Sequence, residues 1–210
     1  MKVLIINGSP RKNGNTNTAL QEMIKIFNQE NIETELIQVG HLTLSGCVSC
    51  GYCHKSGQCI KNDLVNEVNK KFEEADGLVI ASPVYFASPN GTLLAFLDRL
   101  FYSARFDKTM KVGASVVCCR RGGASSSFDV LNKYFTISSM PVVSSTYWNS
   151  IHGRKINEAI YDEEGLLTMR TLARNMSFLI KAIAEYKKVN SLPIKEEKVY
   201  TNFIKSIDEN

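Results

Sequence analysis

The run Lys2-Val3-Leu4-Ile5-Ile6-Asn7, followed at once by a Gly/Asn loop and then by a helical stripe, constrains this chain more than any other feature. A short, continuous apolar run is what a strand buried on both faces of a parallel sheet requires. Residues 8–15 read as a turn. Residues 16–30 then place Leu20, Met23, Ile24 and Phe27 at helical spacing, with Asn15 or Thr16 as the expected N-cap. The alternation recurs along the chain. Residues 34–39, 77–81, 110–119 and 140–145 read as strands, and 63–75, 91–102, 127–134 and 166–186 as helices. Five strands alternating with helices predict parallel βαβ units, closed into an α/β doubly wound five-stranded parallel sheet of order 2-1-3-4-5 between two helical layers.

The 210 residues are 44% hydrophobic and 22% charged, which suits one packed domain and excludes a disordered chain. With no internal repeat or Pro/Gly-rich linker, residues 1–210 read as a single domain. It carries a Cys-rich insertion at 40–62, a second insertion at 148–164, and a C-terminal helix and tail at 165–210. The charged end, 195–210, is expected to pack loosely or across a subunit boundary. Twenty-five Lys and Arg against 21 Asp and Glu leave +4, too mild and too interspersed for a nucleic-acid surface. That balance suits a small anionic ligand. No run approaches the roughly 18 apolar residues of a spanning helix, so no membrane partner is expected. Only the four-residue apolar run Val3-Leu4-Ile5-Ile6 precedes Asn7, without the longer apolar region of an export signal. A cytoplasmic, reducing setting is therefore expected, where clustered cysteines mean metal or redox chemistry rather than disulfides.

The first loop, Gly8-Ser-Pro-Arg-Lys-Asn-Gly-Asn-Thr16, concentrates donors at a helix N-terminus: backbone amides, the Ser9 and Thr16 hydroxyls, the Asn13 and Asn15 amides, and the Arg11 and Lys12 cations. That set favours an anion. It departs from the triphosphate-binding pattern, because Asn13 stands where a second glycine is needed and no Gly-Lys-Ser/Thr follows. It departs from Gly-x-Gly-x-x-Gly because Pro10 takes the second glycine's place. A terminal monophosphate remains. In a sheet of the expected order, ligands bind where the loops after strands 1 and 3 diverge. The loop after strand 3, Ser82-Pro-Val-Tyr-Phe-Ala-Ser-Pro-Asn-Gly91, is stiffened by two prolines and presents Tyr85 and Phe86, a setting for a flat ring with a polar edge.

Together, Gly8-Ser-Pro-Arg-Lys-x-Gly-Asn-Thr16 and Ser82-Pro-Val-Tyr-Phe86 resemble the flavodoxin-like NADPH-dependent FMN reductase and iron-sulfur flavoprotein superfamily, over residues 1 to about 153. The resemblance implies a flavodoxin-like fold and bound FMN. It implies that Ser9, Arg11, Asn15 and Thr16 hold the FMN phosphate, while Pro83, Val84, Tyr85 and Phe86 line the isoalloxazine. It also implies a homodimer or homotetramer with active sites near subunit boundaries. After strand 4, Cys119-Arg-Arg-Gly-Gly-Ala124 emerges on the same rim, where Gly122 and Gly123 let backbone approach a flavin. Arg120 or Arg121 there suits the N1-C2 edge of the ring or a nicotinamide phosphate.

Cys47-x2-Cys50-x2-Cys53-x5-Cys59 is too compact for the usual pairwise zinc arrangement and suits four thiolates around one cuboidal 4Fe-4S cluster. The spacing leaves open other metals and reduced thiols in a substrate-facing loop. The motif resembles the compact cysteine motif of the iron-sulfur flavoproteins, and connectivity after strand 2 predicts the same rim as the flavin. Cys118 and Cys119 end an apolar strand and read as buried small residues. The expected function is an FMN-dependent oxidoreductase carrying electrons from NAD(P)H or a reduced carrier to a quinone, small electrophile or redox protein. A flavodoxin-like electron carrier and a thiol-based sensor are the alternatives. No side-chain acid or base is assigned, because the isoalloxazine carries the chemistry.

Overall fold

A computed structural model describes residues 1–197 and Val199. Its strands are β1 (Lys2–Asn7), β2 (Glu33–Gln38), β3 (Gly77–Tyr85), β4 (Ser88–Pro89), β5 (Val112–Cys119) and β6 (Ser150–His152). The order is β2-β1-β3-β5-β6, with every pair parallel; β4 stands off this path as the antiparallel return of a hairpin on β3. The expected order 2-1-3-4-5 is therefore the one observed among the parallel strands.

The helices are α1 (Asn15–Gln29), α2 (Cys53–Ser56), α3 (Leu64–Glu74), α4 (Gly91–Ser103), α5 (Ala124–Thr136) and α6 (Glu163–Lys187), with a 3-10 turn at Glu158–Tyr161. Residues 3–6 of β1 are fully buried. Val3 and Ile5 pack with α1 and α6, Leu4 and Ile6 with α3 and α4, which explains why both parities of β1 had to be apolar. No helix among the described residues is long and apolar enough to cross a membrane.

Two expectations change. The residue before α1 is Gly14, with no side-chain cap, rather than Asn15 or Thr16. The edge strand expected at 140–145 is reduced to one bridge, Gly113 to Val142, and regular pairing resumes only at β6. Between them the chain leaves the sheet because side chains take over the backbone's partners. Asn149 Nδ2 donates to Ser115 O at 3.0 Å, and Ser145 Oγ lies 2.6 Å from Asn149 Oδ1. The tail expected at 195–210 falls mostly outside the described residues.

Candidate functional site

Three loops leave the carboxyl edge of the sheet together, after β1, β3 and β5. The first is pinned at its root: Gly8 N donates to Ala81 O at 2.7 Å, and Gln38 Nε2 to Ser9 O at 2.9 Å. Gly40 packs so tightly on this loop that a Cβ there would fall on the Gly8 carbonyl. Ser9 is buried, its hydroxyl accepting from Arg11 N at 3.2 Å to close the turn. Arg11, Lys12 and Asn13 are exposed. The first turn of α1 has neither a side-chain cap nor an acidic residue, so the positive end of its helix dipole has no anionic side chain of its own.

Asn15 and Thr16 make contacts within the chain that their sequence positions do not announce. Both ends of the Asn15 carboxamide are committed, Nδ2 donating to Lys155 O at 2.9 Å and Oδ1 accepting from Ala159 N at 3.2 Å. Its side chain ties the start of α1 to the 153–162 segment. Thr16 is also buried, close to the Cys118 thiol, which burial pushes up to about 12. Burial likewise raises Cys119. Both are protonated, inert packing residues at neutral pH.

The second loop is a tight hairpin whose two central residues, Phe86 and Ala87, have φ of 51° and 57°. Such a turn is natural for Asn-Gly; for Phe and Ala it stores strain. Asn90 N donates to Ser82 Oγ at 2.9 Å, and Asn90 Oδ1 accepts from Thr92 N at 2.7 Å, which starts α4 directly behind the turn. Pro83 and Val84 are half-buried, Tyr85 is exposed, and Phe86 has no cover at all. The third loop closes on this tip. Gly123 has φ +85°, a Cβ there would lie 2.7 Å from Ala87 Cα, and Ser126 Oγ donates to Ala87 O at 2.7 Å. Arg120, Arg121 and Gly122 are exposed beside it.

The cysteines lie elsewhere than expected. Only the start of their connection, at Gly40, is on the rim. Cys47, Cys50, Cys53 and Cys59 line one pocket with Arg99, Tyr102 and Ser103, in the second half of α4. Because β3 and β5 are parallel, α4 runs back from the rim, and Tyr102 stands about 16 Å along it from Gly91. All six cysteines are free thiols. Burial raises the Cys53 thiol. The loop is held by α3: Asn66 exchanges hydrogen bonds with Cys59 N at 2.8 Å and Cys59 O at 2.9 Å, and Asn69 Nδ2 donates to Gly57 O at 3.1 Å.

Against this geometry, the family described as NADPH-dependent FMN reductase matches residues 1–155. The chain belongs to that family. An iron-sulfur flavoprotein of Methanocaldococcus jannaschii is 34% identical over 191 residues, covering 87% of this chain and 99% of that protein. The crystal structure of RosB with a bound 8-demethyl-8-formylriboflavin-5'-phosphate intermediate aligns with TM-score 0.67 at 17% identity, covering 100% and 98% of the two chains. A flavodoxin from the domain Archaea aligns with TM-score 0.59 at 14% identity, covering 86% and 99%. The fold is flavodoxin-like, and family membership supports an FMN-dependent oxidoreductase in general terms.

The residues fit FMN. Asn7, at the end of β1 under the first loop, accepts from Ser9 N at 2.9 Å, but its buried Nδ2 has no partner, a donor left over at the rim. The cysteine pocket fits a cluster in the number and kind of its donors, although no three are gathered at metal-ligating distance among the described residues. Sequence reasoning missed Asn7, Gln38 and Arg99. Arg99 had a signal, since it occupies an inward position on the stripe of Leu93, Phe96, Leu97 and Leu100.

Proposed function

We propose that this chain is an FMN-dependent oxidoreductase with its flavin across the carboxyl edge of the sheet. In this reading, the 5'-phosphate lies on the uncapped amides of α1, with Ser9, Arg11, Asn13 and Thr16 around it and Asn15 contributing its backbone amide. The ring lies along Pro83, Val84, Tyr85 and Phe86, with Arg121, Gly122 and Gly123 at its margin. Cys47, Cys50, Cys53 and Cys59 hold a 4Fe-4S cluster. NAD(P)H or a reduced carrier supplies electrons, and a quinone, small electrophile or redox protein takes them, in a cytoplasmic homodimer or homotetramer. The observation that carries this reading is the meeting of an uncapped helix N-terminus with a strained hairpin presenting a bare Phe86.

Bound FMN supplies hydride acceptance and electron transfer singly or in pairs, and the cluster supplies one-electron exchange. The chain's own residues bind and orient. The α1 amides and Arg11 neutralise the phosphate, Tyr85 and Phe86 exclude water from a ring face, and Arg121 brings positive charge to the rim. Anaerobic purification, a visible spectrum and iron and sulfide counts test the proposal. Flavin bands with about four irons per chain are expected. Flavin without iron removes the cluster, and absence of flavin removes the proposal. Steady-state NADH or NADPH oxidation with a quinone separates a reductase from a carrier, which would be reduced by ferredoxin without nicotinamide turnover.

A further inference from the structure

Arg99 is 1% exposed, the largest fully buried side chain among the described residues, and its guanidinium is matched donor by donor. Nε donates to Cys59 Sγ at 3.3 Å. Nη1 and Nη2 fork onto Asp63 at 2.8 and 2.9 Å, and their remaining hydrogens reach Ser45 O and Lys61 O at 3.5 and 3.4 Å. A cation is costly to bury, and one fixed this completely is an unusual use of a helix stripe otherwise made of Leu and Phe. Its compensating carboxylate is less enclosed, since the Asp63 side chain is 32% exposed. Asp63 also accepts from Val65 N at 3.1 Å to start α3. Of the four clustered thiols, Cys59 is the one with a charged side-chain partner among the described residues. Cys47 Sγ accepts from a backbone amide, Ser49 N, at 3.5 Å, and Cys53 Sγ donates to Tyr102 O at 3.7 Å.

We infer that Arg99 is a positioning residue that raises the electron affinity of the cysteine centre, by fixing a buried positive charge against the Cys59 sulfur with Asp63 as its anchor. The inference rests on the cluster reading above. Taking up one electron adds one negative charge to a cluster, and a hydrogen-bond donor or a cation at a ligand sulfur favours the reduced form. Arg99 supplies both, while Asp63 opposes it through a partly solvated, more screened position. Removing either partner must therefore move the centre in opposite directions.

The test is a reductive titration with dithionite, followed by electron paramagnetic resonance, on reconstituted wild type, Arg99→Gln and Asp63→Asn. Arg99→Gln is expected to disfavour the reduced cluster at least tenfold, about 59 mV more negative for one electron. Asp63→Asn retains a side-chain oxygen for Val65 N and for Arg99, so α3 still starts there, and it is expected to shift the potential positive. Should Arg99→Gln not fold, the sign of the Asp63→Asn shift decides. A loosened, wetter loop would move both variants the same way, so a common direction, or no shift in Asp63→Asn, overturns the role given to Arg99. Wild type that assembles no cluster overturns the cluster reading itself and this role with it.

Discussion

Phe86 combines a conformational cost with a use. A non-glycine residue in the left-handed region costs about 1–2 kcal/mol, and Phe86 and Ala87 both sit there. Replacing the pair by Asn-Gly should raise the unfolding midpoint by several degrees while weakening FMN binding, both readable in one thermal-shift series with and without FMN. Asn15→Ala should lose about 1–3 kcal/mol of stability, because it leaves Lys155 O and Ala159 N unpartnered, and calorimetry measures that loss. Cys118 predicts a pH dependence. Its native thiol holds the proton to about 12, against 9.0 for an unperturbed thiol. The stabilisation is complete below pH 9 and lost as pH rises through 12, with a limiting slope of about 1.4 kcal/mol per unit. Urea unfolding between pH 8 and 11 should show stability falling with pH, and Cys118→Ala should flatten that fall. The loop that carries Ser9, Arg11 and Asn13 was legible in the sequence because glycine and asparagine next to an apolar run mark a turn into a helix. The commitments of Asn15 to residues 155 and 159, and of Arg99 to Cys59, were not, since each pairs positions 40 or more apart.

The strands divide by how they are buried. β1, β3 and β5 lie inside the sheet, so their apolar runs announced them, and β3 extended past its expected end because Val84 and Tyr85 pair with the returning Pro89 and Ser88. The edge strand is covered less evenly, and polar side chains can capture its backbone partners. Val142, Val143 and the residues near them looked like a strand by composition, yet the Asn149 and Ser145 side chains hold residues 144–148 off the sheet before Asn149 O accepts from Val117 N. Asn149→Ala should cost about 1–3 kcal/mol by stripping buried Ser115 O of a donor, seen as a lower urea midpoint with an unchanged slope. The first loop is placed by close backbone contact as well. Gly40→Ala would drive a methyl group into the Gly8 carbonyl, so the expected product is a folded protein that purifies without flavin. Flavin content by absorbance reads that outcome.

The fold class was legible because periodicity reports sheet position, and the loops after β1, β3 and β5 leave the same edge of the sheet, as the strand order requires. Connectivity misled only for the cysteines: a loop that starts on the rim at Gly40 travels down α4 before its thiols meet Arg99. The molecule thus has a rim, where the proposed phosphate and ring would lie, and a flank that carries four thiols. The central claim concerns the rim, and comparing FMN with riboflavin on flavin-free protein tests it most directly. Each charge-assisted hydrogen bond to the phosphate is worth about 1.5–3 kcal/mol. Fluorescence titration should therefore show one FMN per chain, bound at least about 100-fold more tightly than riboflavin. Equal affinity for the two, or no saturable binding of FMN, would contradict the account.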